Sequence, residues 1–353
     1  MRAFVVTGPG RYAVEEVPDP APSEGQVVVD VERVGVCGTD AEFFSGEMAY
    51  LHQGHAAYPL RLGHEWCGTI SAVGPGVSPA LVGTRTTGDT MLGCGHCRRC
   101  LSGRQHLCDD RYEIGIRGGW PGALASQLVV PASSLHALPS SVDSVAGALV
   151  EPGGNALRAV RGAALSKGSR VLVLGPGTIG LLCALFAQAA GAAVQLAGVT
   201  PGSLAFARSL EFDTVSLADG SAAPADAGLP AGADSPPAGP FDAVIDASNG
   251  ASSPALAVDL VEPGGRVVFI GLSGAPSLVD SRDLALKDVT AVGVLSASGG
   301  LAGAIEAYAS GVVDPRPLVA ATVSLDGVGP VLAGSRPAGA GPGPKLHVDP
   351  RLP

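Results

Sequence analysis

A two-domain α/β protein, a mostly-β domain leading into a doubly wound parallel sheet, is the fold class this sequence predicts. Three observations carry it. Residues 1–150 alternate short strand-forming runs with turn signals. From about Gly153 strands and helical runs alternate. A glycine-rich segment, Gly175–Gly180, stands at a strand-to-helix junction in the second half. The length of 353 residues suffices for about two domains, each with its own core.

In chain order, the first strands are predicted at Ala3–Val6, Val27–Val31 and Thr69–Val73, the last ending at the turn Gly74-Pro75-Gly76. Such a meander suits an antiparallel, barrel-like domain. Beyond it, Arg170–Leu174 is a buried strand, Thr178–Ala190 a helix, Ala193–Val199 a strand and Leu204–Leu210 a helix. Phe241–Asp246 and Arg266–Ile270 are further strands, the second introduced by Glu262-Pro263-Gly264-Gly265. Two low-complexity stretches, residues 219–240 and 333–344, lack periodicity and are predicted as loops without chemistry.

Composition narrows the function classes. With 46% apolar and 15% charged residues, the chain is globular and not disordered. The formal charge of −10, with basic residues scattered, gives no phosphate-tracking stripe, so nucleic acid is not an expected partner. MRAFVVTGPGRYAVEE lacks the layout of a signal peptide. The apolar stretches break well short of the ~20 residues that span a membrane. A cytoplasmic protein with reduced cysteines is the expectation.

Four of the seven cysteines, Cys94, Cys97, Cys100 and Cys108, form a C-x2-C-x2-C-x7-C run. Four thiolates so close in sequence can converge on one tetrahedral metal, and zinc is the metal that most often takes such a set. A closed all-sulfur site of this kind is structural.

Gly175-Pro176-Gly177-Thr178-Ile179-Gly180 follows an apolar strand and opens a helix, the context in which glycines let backbone approach a dinucleotide pyrophosphate at a helix N-terminus. Gly175, Gly177, Thr178, Ile179 and Gly180 are the predicted cofactor contacts, with Ser248 and Leu272 after later strands. The second strand of such a unit normally ends in an acid that holds the ribose 2′-hydroxyl. Counting on from the glycines puts Thr200 there, with no carboxylate. The missing acid removes repulsion of a 2′-phosphate and tilts NAD(P) use towards NADP.

Cys37-Gly38-Thr39-Asp40, Gly63-His64-Glu65 and Glu151-Pro152 each contain side chains that can ligate metal, although each alone also suits an ordinary core or helix-edge position. Taken in order with the four-cysteine run, the glycine-rich loop and the late strand Lys345-Leu346-His347-Val348, they resemble the zinc-containing medium-chain dehydrogenase/reductases, nearly end to end. The Cys-Gly-Thr-Asp and Glu-Pro motifs, together with His64-Glu65-Trp66, Gly88-Asp89 and Tyr112-Glu113-Ile114-Gly115, are similar to the polyol, sugar and aminocyclitol dehydrogenase branch.

That resemblance implies a GroES-like catalytic domain over residues 1–152, its zinc lobe at about 90–110, a Rossmann NAD(P)-binding domain over 153–293, and a segment 294–353 completing the catalytic domain. It implies two zinc ions per chain. The catalytic one is held by Cys37 and His64 with Glu65 or Glu151, the two carboxylates being interchangeable as ligands during turnover. Thr39 is expected to relay the proton released from the substrate hydroxyl as hydride leaves for the nicotinamide. Glu113 matches a position that binds a substrate hydroxyl in sugar dehydrogenases.

There are departures from the family pattern. Glu42 stands where a histidine often ends the proton path, so the relay is expected to end on Glu42, on a ribose hydroxyl or on water. Gly153-Gly154-Asn155 replaces bulkier residues, which widens the cleft or frees backbone for a polar substrate, with Asn155 placed to donate a hydrogen bond there. The implied activity is zinc-dependent hydride transfer at a secondary alcohol or ketone of a polyol, sugar or (amino)cyclitol, in a homodimer or homotetramer. A C=C or C=N reductase and a non-catalytic zinc- and nucleotide-binding protein are the alternatives.

Overall fold

The computed structural model describes residues 1–217, 237 and 239–353; the low-complexity stretch predicted at 219–240 lies almost wholly outside the described residues. The chain forms two compact units. One comprises residues 1–154, 296–341 and 345–353, the other 155–295 and 342–344.

The first unit is built on a seven-stranded sheet centred on Gln26–Gly35. That strand pairs antiparallel with Glu65–Val73, Gln127–Pro131 and Lys345–Val348, so the end of the chain is woven beside its beginning. Val319–Val323 runs parallel to Lys345–Val348 on the outer side. Val27, Val29, Val31, Trp66, Ile70 and Leu128 are at most 1% exposed and form the centre of its core. Two small ribbons complete the unit, Arg2–Gly8 with Arg11–Glu16 and Met91–Leu92 with Tyr112–Glu113. The second ribbon flanks the four-cysteine segment and ties its two ends together.

The second unit is a six-stranded, all-parallel sheet. Across the sheet the strands run Asp213–Ser216, Ala193–Gly198, Arg170–Leu174, Phe241–Asp246, Val261–Phe269 and Thr290–Gly293. The chain therefore starts in the middle, winds outward one way, then crosses back and winds the other way. Ligand crevices form at that reversal, outside the carboxyl ends of the strands. Val171, Leu172, Val173 and Leu174 are all buried, because helices cover both faces of a parallel sheet and leave no polar side.

Several boundaries differ from the sequence expectation, two of them in the parallel sheet. Ala193–Gly198 ends one residue before Val199. Glu262–Gly265 does not introduce the next strand but lies within it, at a shift of register between the pairs Phe241–Val261 and Ala243–Arg266. Residues 333–344 form turns, anchored where Gly341 N–H donates to the Ala320 carbonyl at 2.9 Å. Among the described residues no helix is long and apolar enough to cross a membrane.

Candidate active site and metal centres

All seven cysteines are free thiols. The sulfurs of Cys94, Cys97, Cys100 and Cys108 lie within 4.8 Å of one another. Cys94 and Cys100 are 3.9 Å apart, and Cys97 and Cys108 are 3.8 Å apart. A tetrahedron with zinc–sulfur bonds of ~2.3 Å has edges of about 3.8 Å, so these two pairs stand at the spacing a zinc ion needs. Backbone N–H groups of the short turns aim at the sulfurs: Cys94 N–H donates to Cys108 Sγ and Cys100 N–H to Cys97 Sγ, both at 3.5 Å. The N–H groups of His96 and Cys97 push the Cys94 thiol down to about 6, while burial and the neighbouring sulfurs push Cys100 up to about 12.

The second cluster gathers Cys37, His64 and Glu65, whose ligand atoms also lie within 4.8 Å of one another. Cys37 caps the helix Gly38–Ser45 and follows the central strand Gln26–Gly35. His64 and Glu65 open the adjacent strand, entered through Gly63 at φ +96°. A side chain at Gly63 would be strained there, and its Cβ would lie 2.8 Å from the Leu124 backbone nitrogen. The register places Glu65 opposite Gly35, and a Cβ at Gly35 would occupy the seat of the Glu65 carboxylate. The mixed sulfur, nitrogen and oxygen donors suit a zinc centre with one position open, in contrast to the closed four-sulfur set.

Two residues without a role in the motif reading govern this cluster. Asp40 is fully buried, accepts from Cys37 N–H at 2.9 Å and Gly63 N–H at 3.2 Å, and lies 3.5 Å from His64 Nδ1. Its carboxylate faces one ring nitrogen and leaves Nε2 as the donor for metal. Burial opposes charge on both groups, but their mutual attraction prevails: Asp40 is held low and His64 is raised well above its ordinary value. Lys345 Nζ donates to both Glu65 carboxylate oxygens, at 2.8 and 2.7 Å, and to the Val36 carbonyl at 2.9 Å. Its three donors are thereby used, and despite burial the carboxylate keeps the ammonium charged.

Glu151 is buried in the first turn of the helix Val150–Gly162 and stands outside the 4.8 Å grouping of Cys37, His64 and Glu65. Thr39 is half-buried in the first turn of the Cys37-capped helix, and Glu42 is exposed one turn later. Glu113 is 2% exposed and ion-paired with Arg111 at 2.8 Å. Asn155 is half-buried on the helix Val150–Gly162. The glycines before it do not open a cleft as expected. A Cβ at Gly153 would collide with the Tyr308 hydroxyl, which donates to the Leu149 carbonyl at 3.1 Å. A Cβ at Gly154 would meet Ala297 at 3.0 Å. Space freed by the two small residues is taken up by neighbouring side chain and backbone.

In the second unit, Gly175 has φ +90° and its Cβ would press on Ser248 at 3.0 Å. A Cβ at Gly180 would strike the Gly175 carbonyl, whereas Gly177 faces open space. Gly177 caps the helix Thr178–Ala189, which carries Thr178, Ile179 and Gly180 in its first turn. Its open approach and the free N–H groups of that turn fit a pyrophosphate. Ser248 donates to Asp246 Oδ1 at 2.7 Å, and both line a cavity of about 210 Å³ with Gly250, Phe269 and Gly271. Leu272, next to Gly271, is 78% exposed.

Thr200 is the N-cap of the helix Pro201–Ser209, so it is not the last residue of the strand. That place belongs to Gly198, whose Cβ would lie 2.6 Å from Pro176 Cδ. The acid is therefore missing at Gly198, and Pro176 of the glycine-rich loop stands where its side chain would begin.

Comparison with known proteins agrees with this architecture. Residues 23–140 match the alcohol dehydrogenase GroES-like domain, and residues 178–310 match the zinc-binding dehydrogenase domain. The chain is 33% identical over 299 residues to L-threonine 3-dehydrogenase of Saccharopolyspora erythraea, covering 83% of each chain. It is 31% identical over 312 residues to sorbitol dehydrogenase of Halalkalibacterium halodurans, with the same coverage. Among solved structures, a zinc-binding dehydrogenase of Sinorhizobium meliloti 1021 bound to NADP superposes with a TM-score of 0.84 at 30% identity, over 99% of both chains. An alcohol dehydrogenase of E. coli CFT073 complexed with NADH gives 0.85 at 25% identity, again over 99% of both. The chain belongs to the zinc-containing medium-chain dehydrogenase/reductases, the alcohol dehydrogenase-like, NAD(P)-dependent oxidoreductases.

Proposed function

We propose that this dehydrogenase is zinc-dependent and transfers hydride between NAD(P) and a secondary alcohol or ketone of a polyol, sugar or (amino)cyclitol. The observation that carries this reading is the juxtaposition of Cys37, His64 and Glu65 as an open, mixed donor set, separate from the closed four-cysteine set. A C=C or C=N reductase has no need of such a set. When bound, zinc supplies a Lewis acid for the reacting oxygen, and NAD(P) takes up or gives the hydride.

The chain's own residues divide the remaining work. Cys37 and His64 hold the metal, with Asp40 fixing the imidazole orientation. Glu65, pinned by Lys345, and Glu151, buried on its helix, are the two carboxylates available to complete the set. Thr39 carries the hydroxyl suited to move the substrate proton, and Glu42, one helical turn on and exposed, can pass it to water. On this reading Cys94, Cys97, Cys100 and Cys108 hold a second zinc that contributes folding energy.

The cofactor is NADP in preference to NAD, because Gly198 leaves no carboxylate to repel a 2′-phosphate. The protein acts in the cytoplasm as a homo-oligomer. A screen of reduced-nicotinamide absorbance over polyols, aldoses, aminocyclitols and simple secondary alcohols, with each cofactor, tests the reading. Turnover of polyhydroxylated substrates supports it. Activity confined to enones or imines, and surviving removal of zinc, overturns it.

A further inference from the structure

Arg111 joins three parts of the first unit. Its Nε donates to Glu113 Oε1 at 2.8 Å, its Nη1 to the Cys108 carbonyl at 3.2 Å, and its Nη2 to the Tyr50 hydroxyl at 3.4 Å. Tyr50 in turn donates to Glu113 Oε1 at 3.3 Å. The Arg111 and Glu113 side chains are 14% and 3% exposed, so this is a largely desolvated fork and not a surface pair. Tyr50 is held from its other side as well. The His55 ring meets it edge-on at 5.5 Å, and the Arg117 guanidinium lies 5.8 Å from its ring centre.

The cluster abuts the catalytic segment. Glu113 pairs with Met91, Ile114 N–H donates to the Thr90 carbonyl at 3.0 Å, and the Thr90 hydroxyl donates to the His64 carbonyl at 3.1 Å. A hydrogen-bonded run thus leads from Cys108 of the four-cysteine segment through Arg111 and Glu113 to His64. Among the described residues the hydrogen bonds to the Glu113 carboxylate fall on Oε1, leaving Oε2 as an acceptor. Because Arg111 neutralises Glu113, that acceptor suits an uncharged hydroxyl better than a cation or a phosphate.

We propose that Arg111 is a positioning residue for substrate recognition: anchored on the Cys108 carbonyl, it fixes Glu113 and Tyr50 as one polar wall for the hydroxyls of an uncharged polyol. The four-cysteine segment then helps to set substrate specificity as well as to hold the fold. This rests on the polyol reading above and on Glu113 meeting substrate.

The test compares wild type, Arg111→Met, Arg111→Lys and Glu113→Gln in the full-length, zinc-replete protein. Two quantities are read: the ratio of kcat/KM for sorbitol to that for 2-propanol, and amide hydrogen exchange over Ala49–His55. Loss of a charge-assisted hydrogen bond is expected to lower the ratio in Arg111→Met by about 10- to 100-fold, mainly through KM. Exchange over Ala49–His55 speeds up, zinc content stays at the wild-type value, and Arg111→Lys recovers part of both effects. Wild-type exchange and an unchanged ratio in Arg111→Met overturn the proposal, as does an equal loss on both substrates. If Glu113→Gln keeps the wild-type ratio while Arg111→Met lowers it and loosens Ala49–His55, the Glu113 contact fails and the positioning role of Arg111 stands. If wild type turns over no polyol, the function reading fails, and hydrogen exchange alone decides whether Arg111 fixes Tyr50.

Discussion

Lys345 and Glu65, 280 residues apart in sequence, form a buried two-pronged ion pair at the edge of the Cys37–His64 cluster, with Nζ–Oε distances of 2.8 and 2.7 Å. Both side chains are at most 4% exposed. The pair fixes a carboxylate beside the metal donors while cancelling its charge, so Cys37, His64 and Glu65 can be packed together without an uncompensated anion. Replacing Lys345 by Met leaves Glu65 buried and unpaired, which should cost about 3–5 kcal/mol of stability. Lys345→Arg, which keeps the charge and can bond both oxygens, should lose clearly less. Chemical denaturation of the two variants checks this, and equal losses would contradict it.

His347 lies on the same strand as Lys345 and is fully buried, with neither ring nitrogen hydrogen-bonded among the described residues. Burial, helped by the nearby charges of Lys345 and Arg33, pushes its imidazole down to about 3. An unfolded histidine titrates near 6.5, so between ~6.5 and ~3 the unfolded chain binds a proton that the folded one does not. The folded state therefore loses stability as pH falls through that window, and the contribution is absent above it. Going from pH 7 to pH 5, wild type should lose about 2 kcal/mol relative to His347→Leu. Denaturation curves at the two pH values measure the difference; a gap that does not change with pH would contradict the assignment.

Gly198 and Pro176 bear on cofactor choice. Asp at position 198 restores a carboxylate at the strand end but drives its Cβ towards Pro176 Cδ, 2.6 Å away. In the double variant Gly198→Asp, Pro176→Ala the clash is relieved and the charge remains. A like charge against the 2′-phosphate costs several kcal/mol, so the NADP-to-NAD ratio of kcat/KM should fall by about 10²-fold or more. Steady-state kinetics with both cofactors test this, and an unchanged ratio would contradict the placement of the 2′-group near Gly198.

What could be read from the sequence follows the range of the interactions. The four cysteines span fifteen positions, and their spacing alone brings the sulfurs into reach. The glycine-rich loop is equally local, one strand-to-helix turn. The partners of the second cluster are not. Asp40 is three residues from Cys37, but its contact with His64 depends on the packing of two segments 24 residues apart. Lys345 reaches Glu65 only because the final strand returns beside Gln26–Gly35; a lysine opening the short strand Lys345–Val348 was the available sign. Gly153 and Gly154 misled for the same reason, since the side chain and backbone that fill the space, Tyr308 and Ala297, lie more than 140 residues further along. The strand-end position was counted to Thr200, two residues past Gly198, because where a strand ends depends on pairing with its neighbours and not on composition.

The central claim is that Cys37 and His64 hold the zinc at which the reaction occurs, while the four-cysteine site does not take part. Zinc analysis and turnover measured together on wild type, Cys37→Ala and Cys94→Ala test it most directly. The account predicts about two zinc per chain in wild type. In Cys37→Ala it predicts one zinc, unimpaired NAD(P) binding, and turnover lower by about 10³-fold or more, the several kcal/mol a Lewis acid supplies. Two zinc ions in Cys37→Ala, or turnover within tenfold of wild type, would contradict it.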